Sequence, residues 1–213
     1  RNASSYELKH YSVMEDVDTL VVQELMYSIR VNNSIKQHLN DLRDYAVGCD
    51  RIIEIGNANL CATIALILSN PKFLKTIDIN DVLPEFMFRV DLLGKYAKKY
   101  DMEFEYVIND SIQEEPVECD LLFIDSFHHY AHLKAELNLY KDCVSRHIVL
   151  HDTHSYANRN EYFIYVQDGG IDYNTEKAGL SLAVDEFLKE NPMWSVDRIE
   201  EKNNGMTYLK REG

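Results

Sequence analysis

Four apolar runs in this chain finish on or beside an acid: Arg51-Ile-Ile-Glu54-Ile-Gly56, Leu74-Lys-Thr-Ile-Asp78, Asp120-Leu-Leu-Phe-Ile-Asp125 and His147-Ile-Val-Leu-His151-Asp152. Short apolar runs of this kind read as buried strands. In an open α/β sheet, ligands bind outside the carboxyl ends of the strands. Acids gathered at that edge can accept hydrogen bonds, hold a cation or move a proton, so the pattern points to a site.

The sharpest cluster is Asp125-Ser-Phe-His128-His129-Tyr130 together with His151-Asp152-Thr-His154. Asp125 and Asp152 end neighbouring strands and would face each other across the sheet mouth. Two facing carboxylates repel, so they need a cation between them or a raised pKa. Oxygen ligands from two aspartates suit Mg²⁺ with several waters retained. His128 could line the same mouth as a general base near neutral pH. The plainer reading is that Asp125 caps the next helix and the histidines are solvated. His128 and His132, at i and i+4, could also bind Zn²⁺ with His151 or His154 as in a hydrolase, but no Glu lies between them to act as a base.

Three further positions belong to the same edge. Glu54-Ile-Gly56 closes the first strand and opens a helix, where glycine lets backbone approach a ligand. The expected second glycine, four residues on, is replaced by Leu60. Asp78, about twenty residues after Gly56, stands where a carboxylate accepts hydrogen bonds from ribose hydroxyls; a surface cap is the alternative. Asp110 could meet a base or an amino group, or simply form a turn.

The elements that must position these residues alternate. Residues 17–30 read as a helix, and Ile35, Leu39, Leu42 and Ala46 mark one face of another, with Asn33 or Ser34 as N-cap. Strands follow at 52–55, 73–79, 103–108, 121–124 and 148–150. Helices at 58–68, at Phe86, Val90, Leu93 and Ala97, and at Leu133, Leu137, Tyr140 and Val144 lie between them. The alternation implies a parallel sheet. A helix through Leu180, Val184 and Phe187 precedes strands at 194–199 and 206–210, which flank the hairpin signal Asn203-Asn204-Gly205. The polar, aromatic stretch 153–177, with Tyr156, Tyr162, Phe163, Tyr165, Tyr173 and Gly169-Gly170, reads as a binding loop, a packed loop or a dimer contact.

With 213 residues, 46% hydrophobic and 27% charged, the chain has globular composition. Its net charge of -14 argues against nucleic-acid partners and anionic membrane surfaces, and no basic patch offsets it. Cys49, Cys61, Cys119 and Cys143 are scattered without a Cys-x-x-Cys pair, as expected for thiols in a reducing, cytoplasmic setting. No run reaches the length of a membrane span. The segment 2–14 is polar and shows no pattern. The chain divides into an N-terminal helical segment, 1–48, and an α/β domain, 49–213.

The motifs around Asp125, His128 and Asp152, with the final Leu-Lys-Glu-Asn-Pro-Met-Trp segment and its Asn-Asn-Gly hairpin, resemble the class I S-adenosylmethionine-dependent methyltransferases. Within them the chain is similar to the small-molecule O-methyltransferases of the cephalosporin-hydroxylase-like and macrolide-sugar branch. The resemblance implies a Rossmann-like, seven-stranded, mostly parallel sheet with an antiparallel last strand and helices on both faces. It implies that Glu54 and Gly56 line the methionine part of S-adenosylmethionine, that Asp78 holds the ribose, and that Asp110 and Ser111 lie near the adenine. Asp125 and Asp152 match Mg²⁺ positions, His151 stands where such enzymes often carry an acid and joins that metal set, and His128 matches the base. The acceptor would be a hydroxyl of a sugar or other small polyhydroxylated molecule. Leu60 departs from the family pattern and is expected to crowd the methionine moiety, which makes a non-catalytic binding or assembly module the alternative.

Overall fold

The computed structural model describes residues 16–31, 33–162 and 170–212. Phe163, Tyr165, Gly169 and the N-terminal stretch 2–14 lie outside the described residues. Among those described, the order is α1 (Val17–Arg30), α2 (Leu39–Ala46), β1 (Arg51–Ile55), α3 (Cys61–Ile67), β2 (Phe73–Asp78), α4 (Met87–Lys99), β3 (Glu103–Ile108), β4 (Cys119–Ile124), α5 (Tyr130–Tyr140), β5 (Val144–His151), α6 (Leu180–Glu190), β6 (Trp194–Glu200) and β7 (Met206–Arg211). The strands form one seven-stranded sheet in the order β3-β2-β1-β4-β5-β7-β6. The first five run parallel, and β7 lies antiparallel between β5 and β6. This is the Rossmann-like sheet that the resemblance implies.

Alternation along each strand divides the core in two, because successive side chains leave opposite faces. Ile52, Leu74, Leu121, Phe123 and Tyr208 pack beneath α1 to α4, while Ile53, Ile55, Leu122, Ile124 and Leu150 pack beneath α5 and α6. Val21, Leu25, Leu39 and Leu42 bring α1 and α2 into the first of these cores. A buried Ile or Leu contributes about 2 kcal/mol, so both faces hold the strand ends firmly.

One difference from the sequence pattern has a simple cause. β5 begins at Val144, earlier than its apolar stretch, because Ser145 and Arg146 occupy exposed positions and bond outward to Asp120 Oδ1 and the Gly48 carbonyl. No helix joins β3 to β4; residues 109–118 form a turn that passes β2, where Lys75 Nζ reaches Glu114 Oε1 at 2.6 Å. No helix among the described residues is long and apolar enough to cross a membrane.

Candidate active site

The carboxyl ends of β1 to β4 open on a cleft of about 280 Å³. Gly56, Asp78, Asp110 and Ser111 line one side, and Asp125, Ser126, Phe127, His128, His132 and Glu161 line the other. The two sides meet at Gly56. Its amide donates to the Ile77 carbonyl at 2.8 Å, its φ is +83°, and a Cβ there would collide with the backbone carbonyl of Asp125. Only glycine combines that φ with so close an approach at no steric cost.

The turn after Gly56 is built around Asp78. Asp78 Oδ2 accepts from the amides of Asn57 and Ala58 at 2.9 and 3.0 Å, and Oδ1 accepts from Asn80. From behind, the buried Arg89 donates to the Asn59 carbonyl and to Glu24 on α1. Leu60 completes the turn in the left-handed region, φ +62°, a conformation that costs a non-glycine residue roughly 1–2 kcal/mol. Its side chain is fully buried in the α1–α4 core and does not line the cleft. The expected crowding of the methionine moiety by Leu60 is therefore corrected: the leucine keeps the backbone shape of the missing glycine and turns its bulk inward.

Glu54 is also placed differently from its expected role. It is fully buried behind the cleft and accepts from Thr63 Oγ1 at 2.6 Å. Burial pushes its pKa up to about 8, with Thr63 opposing. Asp110 and Ser111 do line the cleft. Asp110 Oδ1 accepts from the Ile112 amide, the turn-forming alternative, and Ser111 Oγ donates to the buried Glu136.

Asp125 follows β4, and Asp152 follows β5 in a left-handed conformation, φ +59°, which Asp tolerates better than most residues. They converge with His128: donor atoms of these three lie within 4.8 Å of one another. His128 Nε2 is 2.8 Å from Asp152 Oδ2 and 3.7 Å from Asp125 Oδ1, while Nδ1 is 2.8 Å from Glu161 Oε2. Tyr156 stacks on the ring at 4.4 Å. Burial alone would lower the pKa of His128, but Asp125 and Asp152 outweigh it and raise it to about 10. Carboxylates at both nitrogens favour the protonated ring while no cation is bound, and a cation at Nε2 would take the place of that proton.

His151 is likewise reassigned from metal ligand. Nδ1 lies 3.1 Å from Asp125 Oδ1, and Nε2 lies 3.3 Å from the Asn203 carbonyl in the β6–β7 turn. With acceptors at both nitrogens it is an imidazolium, raised to about 10 by Asp125 and Asp152 against the effect of burial. Its nitrogens are taken up by Asp125 and a backbone carbonyl, and it does not join the three residues whose donor atoms converge. Burial opposes ionisation of Asp125 and Asp152, yet the two histidines hold both carboxyls below the usual range. The cluster thus balances its own charge.

A cation still fits. His128 Nε2 and Asp152 Oδ1 are buried atoms without a hydrogen-bond partner, since the close Nε2 contact to Asp152 is an ion pair with poor bond direction. Asp125, Asp152 and His128 would hold the ion. The zinc set does not assemble: His132 Nε2 faces Glu136 Oε1 at 3.1 Å and Nδ1 faces the Tyr173 hydroxyl at 2.9 Å.

Glu161, Glu136 and the Asn203 carbonyl are partners that sequence reasoning missed. Glu136 carried one signal, an acid among the apolar positions Leu133, Leu137 and Tyr140 of α5. Glu161 and Asn203 carried none, because their neighbours are distant in sequence.

No family model matches the chain, and no curated protein matches it by sequence. Solved structures do match it. The O-methyltransferase TomG of Streptomyces achromogenes, involved in tomaymycin synthesis and solved with SAM, is 14% identical with a TM-score of 0.58, over 97% of this chain and 94% of its own. An O-methyltransferase from Bacillus cereus, solved with SAH, is 14% identical with a TM-score of 0.56, over 96% and 95%. The SAH-bound methyltransferase PaMTH1 of Podospora anserina is 16% identical with a TM-score of 0.54, over 94% and 89%. The chain has the fold of these enzymes.

Proposed function

We propose that the chain is an S-adenosylmethionine-dependent O-methyltransferase that acts, with a divalent cation, on a hydroxyl of a sugar or similar polyhydroxylated molecule. One observation carries this reading: a single cleft joins Asp78 and Asp110 on one side to Asp125 and His128 on the other. The fold shared with solved methyltransferases supports it.

Asp78 offers about four acceptor sites and gives three of them to backbone amides, which leaves one for a ribose hydroxyl. Asp125 and Asp152 stay ionised at the mouth and would hold the cation with His128. Two carboxylates suit Mg²⁺, and an imidazole as third donor suits Mn²⁺ as well. When bound, the cation supplies Lewis acidity and orients the acceptor hydroxyl. Glu161 and Tyr156 fix the His128 ring. Alignment of oxygen and methyl group is most of what such a transfer asks of a protein.

Charge narrows the acceptor. Four carboxylates and no Lys or Arg occur among the described residues that line the cleft, so phosphorylated or carboxylated acceptors are disfavoured and neutral or cationic ones are favoured. The self-balanced Asp125–His128–His151–Asp152 cluster supports a second reading, a donor-binding module without turnover. Calorimetry with S-adenosylhomocysteine, followed by transfer of labelled methyl from S-adenosylmethionine to a panel of sugars, separates the two. Micromolar binding with cation-dependent transfer is expected. Binding without transfer to any sugar selects the module, and no binding rejects both.

A further inference from the structure

Ser111 and Ser126 come from different loops, after β3 and after β4, yet both hydroxyls end on the same buried carboxylate. Ser111 Oγ donates to Glu136 Oε1 and Ser126 Oγ donates to Glu136 Oε2, each at 2.7 Å. Glu136 lies on α5, is fully buried and also faces His132 Nε2. The Tyr140 hydroxyl fixes the Ser111 carbonyl from the same helix. Both serines line the cleft, and Glu136 does not.

A carboxylate has no proton to give, so both serines must point their single O–H at Glu136. Their remaining lone pairs are then the polar groups the hydroxyls can turn to the cleft. His132 adds no donor there, because its nitrogens face Glu136 and the Tyr173 hydroxyl. Asp110, beside Ser111, contributes further acceptors. We infer that Glu136 is a specificity-determining residue: by committing both serine protons, it makes this wall of the cleft an acceptor surface that selects a ligand ring carrying an amino group over one carrying a carbonyl there. A site built with buried hydrogen-bonding groups rejects a mismatched ligand strongly, since the mismatch leaves acceptors opposed or unpaired.

The inference rests on the proposed donor site, in which an adenine ring lies against this wall. The test is calorimetry of the intact chain with S-adenosylhomocysteine and with S-inosylhomocysteine, which replaces the 6-amino group by a carbonyl. The wild-type chain is expected to prefer the adenine compound by at least about tenfold. Glu136→Gln places an amide NH₂ against one serine oxygen, so that serine must turn its proton toward the cleft; the preference should shrink about tenfold or more. Should the variant fail to fold by circular dichroism, Ser126→Ala removes one of the acceptors while Ser111 and His132 still face the buried Glu136 carboxylate, and should shrink the same ratio in part. A wild type that binds both compounds equally, or a folded variant that keeps the wild-type ratio, overturns the inference while leaving the donor site in place. A wild type that binds neither overturns the donor site and the inference with it.

Discussion

The two sides of the cleft neutralise their acids in different ways. On the β2–β3 side, Asp78 and Asp110 accept from backbone amides of nearby turns, at Asn57, Ala58, Asn80 and Ile112. On the β4–β5 side, Asp125 and Asp152 are met by the side chains of His128 and His151. Backbone partners are fixed by the fold and cannot be exchanged. Side-chain partners can move aside for a cation or a substrate. One side is therefore a rigid cradle, and the other is an exchangeable charge cluster at which the proposed transfer would take place.

The largest expected effect lies where the sides meet. Gly56→Ala forces a Cβ into the Asp125 carbonyl and should destabilise the chain by about 3 kcal/mol or more in urea unfolding; a loss under about 1 kcal/mol would show that the sides are not locked together there. Next, Asp125→Asn should reduce turnover at least about a hundredfold, yet leave S-adenosylhomocysteine affinity within about threefold. It should also remove the thermal stabilisation expected from Mn²⁺ or Mg²⁺. Equal losses in donor affinity and turnover would erase the division into cradle and cluster.

Glu54 gives a smaller effect with a definite sign. Its pKa is about 8 in the folded chain against 4.5 ordinarily. Between those values the unfolded chain has released a proton that the folded chain retains, so this group's contribution to stability falls as pH rises. Glu54→Gln should flatten that decline and gain on the order of 2 kcal/mol near pH 8. Unchanged pH dependence of unfolding would show that Glu54 is ionised in the fold. The smallest effect is expected from Asp78→Asn: its amide oxygen still serves the turn, so stability should change by about 1 kcal/mol or less, while S-adenosylhomocysteine affinity falls about tenfold. A loss of folding instead would make Asp78 wholly structural.

Much of the fold was legible because the strands are buried on both faces and read as continuous apolar runs. The ends of β1, β2 and β4 followed from those runs, and the hairpin from Asn203-Asn204-Gly205, whose φ values are all positive. Asp125 and Asp152 were legible as a facing pair for the same reason. Their partners were not. His128 reads as a base from its type and spacing, but its charge is raised by Asp125 and Asp152 and its other nitrogen is held by Glu161, thirty-three residues away. Leu60 reads as an obstruction because spacing says nothing of φ; only the packed turn shows its side chain directed into the core. Aromatic residues in the long loop were ambiguous for a similar reason: Tyr156 packs on His128, while Tyr162 is almost wholly exposed.

A crystal structure of the chain grown with S-adenosylhomocysteine tests the central claim most directly. The nucleoside is expected between Asp78 and Asp110, with the sulfur directed toward Asp125 and His128. Density for the ligand elsewhere, or an empty cleft at saturating ligand, would contradict it.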